Sequence, residues 1–117
     1  MNKEDLKTRT KVFAHKSVKL ATELPHTKLG NHIQGQLIRC STSVAANYRA
    51  TCVAQSKKSF IAKISIVIEE ADESNFWLEF IMDENLITNE NLISLFKESG
   101  ELTAIFMASR KTASGNN

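Results

Sequence analysis

Glu23-Leu24-Pro25-His26 places a carboxylate and an imidazole three residues apart. That is the Glu-x-x-His spacing from which di-iron helical bundles build half of their ligand set. Such a site needs two copies of the motif and further glutamates from two other helices, and here Pro25 sets the single copy at a helix end. The acidic cluster Glu69, Glu70, Asp72, Glu73 has no histidine near it in sequence, so no metal and no cofactor are expected. The run CSTSVAANYRAT (40–51) offers four Ser or Thr, but no G-x-S-x-G elbow accompanies them. His15, His26 and His32 are scattered, with no evident serine and acid partners, and read as surface or loop side chains. Cys40 and Cys52 are twelve residues apart with no C-x-x-C, and read as small buried hydrophobes. The expectation is a protein without a catalytic residue.

The basic residues are better candidates. Residues 1–60 hold eleven Lys or Arg against three Asp or Glu, and residues 61–117 hold four against ten. Such a split either makes a polyanion-facing surface or lets the two halves neutralise one another. Lys7, Arg9, Lys11, Lys16 and Lys19 crowd the first helical segment, Arg39 and Arg49 lie in the second, and Lys57-Lys58 open the third. These nine are the candidate nucleic-acid-binding residues. Arg39 and Arg49, ten residues apart, should project to similar sides. The competing role for both is pairing with Glu69, Asp72 or Glu73, inside one chain or across a subunit boundary, and it is the preferred reading for Arg49. No aromatic residues interleave with the basic ones as in single-strand binders, so any binding should be weakly sequence-specific.

Four helical patterns position these groups. Leu6, Thr10, Phe13, Ser17, Leu20 and Leu24 step by threes and fours, as do Ile33, Leu37, Cys40, Val44, Tyr48 and Cys52. Ile61, Ile64, Ile68, Ala71, Asn75, Leu78 and Met82 keep heptad spacing, and Leu92, Leu95, Ser99, Leu102 and Phe106 form the last stripe. LPHTKLG (24–30) breaks the chain at Pro25, while Ser56 and Thr88 or Asn89 are suitable N-caps. The predicted fold is an all-α, antiparallel up-down four-helix bundle with helices over roughly 3–24, 28–53, 57–83 and 89–112, in a single domain over 1–117. Within CSTSVAANYRAT, the small pairs Ser41/Ala45 and Thr42/Ala46 should let helices approach closely. Phe60, Phe76, Trp77 and Phe80 make the third helix apolar on more than one face. A bundle core needs only about 100° of each helix, so a second face should meet a neighbouring copy. Candidate oligomer contacts are Asn47, Tyr48, Arg49, Phe76, Trp77 and Phe80. The polar start MNKEDLKTRTK, the lack of a long apolar run and two cysteines predict no signal peptide, no membrane span and a reducing cytoplasmic setting.

Longer stretches carry a resemblance. Gln36-Leu37-Ile38-Arg39, Ser43-Val44-Ala45-Ala46-Asn47-Tyr48-Arg49-Ala50, and Phe60-Ile61-Ala62-Lys63 leading to Glu69-Glu70-Ala71-Asp72-Glu73 resemble the bacterial four-helix bundle family of 23S rRNA intervening-sequence proteins, over about residues 8–107. Ser41 and Ala45 stand where relatives often have Gly, which should loosen the helix approach slightly. The resemblance implies a homopentameric ring around a central channel and no enzymatic activity. One related branch is the accessory protein of diversity-generating retroelements, which works beside a reverse transcriptase and binds nucleic acid. The expected function is therefore a non-enzymatic, ring-forming bundle that binds RNA or DNA, or a nucleoprotein partner such as a reverse transcriptase. A protein-binding adaptor with no nucleic-acid role is the alternative.

Overall fold

Each helix begins on a side chain that replaces the missing backbone acceptor of its first turn. In the computed structural model, which describes residues 1–115, these are Asn2, Thr27, Ser56 and Asn89. They open α1 (Lys3–Ala21), α2 (Lys28–Thr51), α3 (Lys57–Asp83) and α4 (Glu90–Ser114). Asn2 makes a full capping box with Asp5, accepting from its N–H at 2.8 Å while the Asp5 carboxylate accepts from the Asn2 N–H at 3.2 Å.

The first two helices end earlier than expected, at Ala21 and Thr51, not at 24 and 53. At both ends the chain tightens into three-residue turns. Glu23 and Leu24 donate to Leu20 and Ala21, and Val53 and Ala54 donate to Ala50 and Thr51. Pro25 already excludes helical geometry at Leu24. The third helix has the expected bounds, and the fourth runs two residues past 112.

Four cross-helix pairings fix the direction of every neighbour. Gln34 on α2 donates to the Ala21 carbonyl at the end of α1. Arg39 meets Glu70 and Glu73, whereas His32, earlier on α2, meets Trp77, later on α3. Asn75 meets Ser99, and Ser65 meets Arg110. Arg9 meets Glu98 and Glu101, while Lys16 lies beside Ser94. In the last three cases one number rises as the other falls, so those neighbours are antiparallel, and it follows that α1 and α2 are antiparallel too. Each helix packs on the two beside it in a closed square, α1–α2–α3–α4–α1, with extents of 47 × 20 × 19 Å.

The inward stripes of α1, α2 and α4 are those read from spacing, with Cys52 only half-buried. On α3 the stripe is rotated. Ile64, Val67, Ile68, Ala71, Ser74, Leu78 and Ile81 are buried, whereas Ile61, Asn75 and Met82 of the expected seam sit on its shoulder. Each helix also sends one fully buried serine inward: Ser17, Ser41, Ser74 and Ser99. Ser74 donates to the Cys40 sulfur at 3.2 Å and Asn75 donates to the Ser99 hydroxyl at 2.9 Å, tying α2, α3 and α4 through small polar side chains. Ser17 Oγ has no hydrogen-bond partner.

Candidate polyanion-binding and docking surfaces

The square has two seams where the basic first half of the chain meets the acidic second half, α1 against α4 and α2 against α3. Both are bridged by one arginine holding two glutamates three residues apart. Arg9 donates to both oxygens of Glu98 at 2.7 Å and to Glu101 at 2.8 Å. Arg39 donates to Glu70 at 3.2 Å, to Glu73, and to the Gln36 side chain. Internal neutralisation is thus realised at the seams, and it occupies Arg9 and Arg39. Both guanidiniums are engaged within the chain, Arg9 about one-quarter and Arg39 about one-half exposed.

The expectation for Arg49 narrows. It is exposed and forms no ion pair among the described residues, so of the two pairings expected with Glu69, Asp72 or Glu73 the one inside the chain is not formed, and only one across a subunit boundary remains. Ten residues fall about 80° short of three full turns, so Arg39 turns toward α3 and Arg49 toward α1. There Arg49 rims a groove between α1 and α2 with Lys7, Lys11 and His15. Small apolar side chains, Ala14, Ala45 and Ala46, form its floor, and its volume is about 640 Å³. Thr42, Ala45 and Ala46 therefore line open space instead of closing the helices together; of the small pairs only Ser41 is buried. Lys7 also pairs with Glu4 at 3.0 Å. Lys16 and Lys19 lie beyond the groove, against the start of α4 beside Asn91 and Ser94.

Lys57 and Lys58 are exposed at the N-terminus of α3, which has no acidic residue in its first turn and no basic residue in its last. Asp83 and Glu84 close the same helix. Both ends oppose the helix macrodipole, each unfavourable charge being worth about 0.3–1 kcal/mol. By contrast α1 and α4 carry acids first and Lys last. Antiparallel packing brings Lys3, Arg49, Lys57, Lys58, Arg110 and Lys111, with Glu4 and Asp5, to one end of the bundle, opposite the end that holds Glu23, Asp83, Glu84 and Glu90 with Lys19 and Lys28.

The candidate oligomer contacts divide. Tyr48 is 5% exposed and stacks on Phe106 with ring centroids 5.3 Å apart, so it is core and not a contact. Asn47 turns its amide back to the Ser43 carbonyl. Trp77 is half-buried, donating from Nε1 to Glu73 at 3.1 Å and meeting His32 edge-on. Phe76 is 49% exposed at the centre of the outer face of α3, with half-buried Phe80 one turn on. Ile66 on the same face is 43% exposed. Ile66 is not among the sequence candidates, since it lies off the heptad seam and away from the aromatic residues.

One thiol is muted by burial. Burial pushes the Cys40 thiol up to about 11, with the Ser74 hydroxyl pulling it back only partly. It is therefore protonated and a poor nucleophile. Glu23 lies in the α1–α2 connection, near the Asn89 amide. Among the described residues no three His, Cys, Asp or Glu side chains gather around one point, and no helix is long and apolar enough to cross a membrane.

The fold is an antiparallel four-helix bundle with a basic groove and an acidic aromatic face. Residues 3–108 match the model of the 23S rRNA-intervening sequence protein family, and the chain belongs to that family. It is also similar to the crystal structure of a protein of unknown function from the S23 ribosomal protein family of Bacteroides thetaiotaomicron VPI-5482. That likeness has 31% identity and a TM-score of 0.85 over 96% of this chain and 100% of the other. No curated protein matches the chain.

Proposed function

We infer that this protein is a non-enzymatic, self-associating bundle that binds nucleic acid through phosphates, at the basic end of the molecule. The observation that carries this reading is the placement of Lys57 and Lys58 against the α3 dipole. Lysines that destabilise their own helix are accounted for when an anion shares the site, since a helix N-terminus and two ammonium groups then act together. Arg110 and Lys111 from α4 extend the same surface. The one aromatic beside these residues, Phe60, is half-buried against the end of α4, so affinity comes from counterion release and carries little sequence preference. The family resemblance adds a ring of five copies, a reverse transcriptase as one kind of nucleoprotein partner, and a cytoplasmic setting.

Heparin retention and an RNA gel shift test the reading. Binding at low salt that fades at moderate salt, and weakens when Lys57 and Lys58 become Glu, is the expected result. No retention at low salt by the folded protein would overturn it. A protein-binding adaptor is the second reading, supported by exposed Phe76 and Ile66 between acidic side chains.

A further inference from the structure

We propose that the α1–α2 groove is the docking site for the outer face of α3 of a second copy, so that copies join head to tail. The inference rests on the self-association half of the functional reading and is independent of the nucleic-acid half.

Two surfaces of this one chain are complementary in charge, in apolar content and in length. The groove has a basic rim, Lys7, Lys11, His15 and Arg49, over a floor of small apolar side chains. The outer face of α3 is the reverse. Glu69, Asp72 and Glu79 are exposed there, around Ile66 and Phe76. Ala62, Ile66, Glu69, Glu73, Phe76, Phe80 and Asp83 step by fours and threes along it, a second heptad seam opposite the one in the core. The groove runs along α1 from Lys7 to Val18 and the apolar anchors run from Ile66 to Phe76. Both stretches are about three helical turns, or ~16 Å. Phe76 supplies a large knob, and a floor of Ala14, Ala45 and Ala46 offers the room that larger side chains would fill.

The smallness of Thr42, Ala45 and Ala46 then has a use. These residues do not draw α1 and α2 together; they keep the groove open for a third helix. Because groove and knob lie on different parts of the surface, the contact is heterologous, and repeating it gives a closed ring or an open fibre according to the rotation per copy.

The experiment uses four exposed residues. Light scattering gives the mass of the wild-type chain, of a groove variant (K11E with R49E), of a face variant (E69K with D72K), and of the chain carrying all four reversals. Circular dichroism confirms that each is folded. The expected pattern is an oligomer for wild type, a fall to monomer for each charge-reversed pair, and recovery in the four-fold variant, where attraction is restored with inverted sign. F76A should raise the dissociation constant at least ten-fold without altering the fold. A monomeric wild type at high concentration would overturn the proposal together with the self-association reading. An oligomer whose mass ignores both pairs would overturn this assignment of faces alone. Loss of RNA retention in the groove variant with mass unchanged would give the groove to a polyanion, and would likewise overturn it.

Discussion

Arg9 on α1 holds Glu98 on α4 through two parallel hydrogen bonds of 2.7 Å, both side chains being about one-quarter exposed. A bidentate fork of this kind is the favourable limit for an ion pair near a surface, and Glu101 adds a third bond. Arg9→Ala should therefore lower stability by about 1 kcal/mol in urea denaturation, and less at high salt. Heparin retention should not change. A retention loss as large as that of the α3 lysine variant would mean that the arginine is not committed to the seam.

Lys57 and Lys58 should behave in the opposite sense. Replacing both with Glu turns two unfavourable dipole interactions into favourable ones, worth about 1 kcal/mol or more together. The expected variant melts higher than wild type and binds polyanions less well. A variant that melted lower would show that these lysines support the fold, and the functional reading would lose its main observation.

Gly30 is irreplaceable for a geometric reason. A Cβ there would lie 1.9 Å from the Pro25 carbonyl oxygen, which is backbone and cannot swing aside. Gly30→Ala should cost about 2–4 kcal/mol, in the range of severe single substitutions. Gly35, with nothing within 4 Å of its added Cβ, is the control, and Gly35→Ala should stabilise α2 by about 0.5–1 kcal/mol. Equal effects at the two positions would contradict the close approach at the α1–α2 turn.

Ser17 hides a hydroxyl that finds no partner. An unmet buried polar group is unfavourable by about 1–3 kcal/mol, so Ser17→Ala should raise stability by about 1 kcal/mol. Ser74→Ala should do the reverse, since that hydroxyl shares its one proton between the Glu70 carbonyl and the Cys40 sulfur. Calorimetry of the pair checks the contrast, and destabilisation by Ser17→Ala would refute it.

Glu73 gives the protein an acid-sensitive seam. Burial alone would raise its pKa, but hydrogen bonds from Arg39 and from the Trp77 indole outweigh that and hold it below the usual carboxylate value. A lowered folded-state pKa means that its contribution is present above the ordinary carboxylate pKa of about 4.3, and is lost as pH falls through the lower folded value. Trp77 is the chain's one tryptophan and touches this carboxylate, so its fluorescence reports the titration directly. Arg39→Ala should move that titration to higher pH. An unmoved midpoint would show that Arg39 does not hold the proton off.

The stripes of α1, α2 and α4 were legible because Leu6 to Leu20, Ile33 to Tyr48 and Leu92 to Phe106 offer one apolar arc each. On α3, apolar residues flank the helix on two sides, and periodicity alone does not say which arc turns inward. The seam arginines were beyond reach for another reason. That Arg39 is paired and Arg49 is not depends on a rotation of some 80° and on the register of α3 against α2. Pro25 marked the first turn, but the contact that makes Gly30 obligatory involves a carbonyl whose position only the fold supplies. The basic half was visible as a count; that it forms a rimmed groove was not.

The uneven charge along the 47 Å axis acts before anything touches. A rod whose two tips differ in charge would turn in the field of a nearby polyanion, like a compass needle, and arrive with the more basic tip first. Its flanks would then stay free, as the proposed contact between copies requires. The screening length is about 10 Å at 0.1 M salt, so this guidance fades with ionic strength sooner than the contacts themselves.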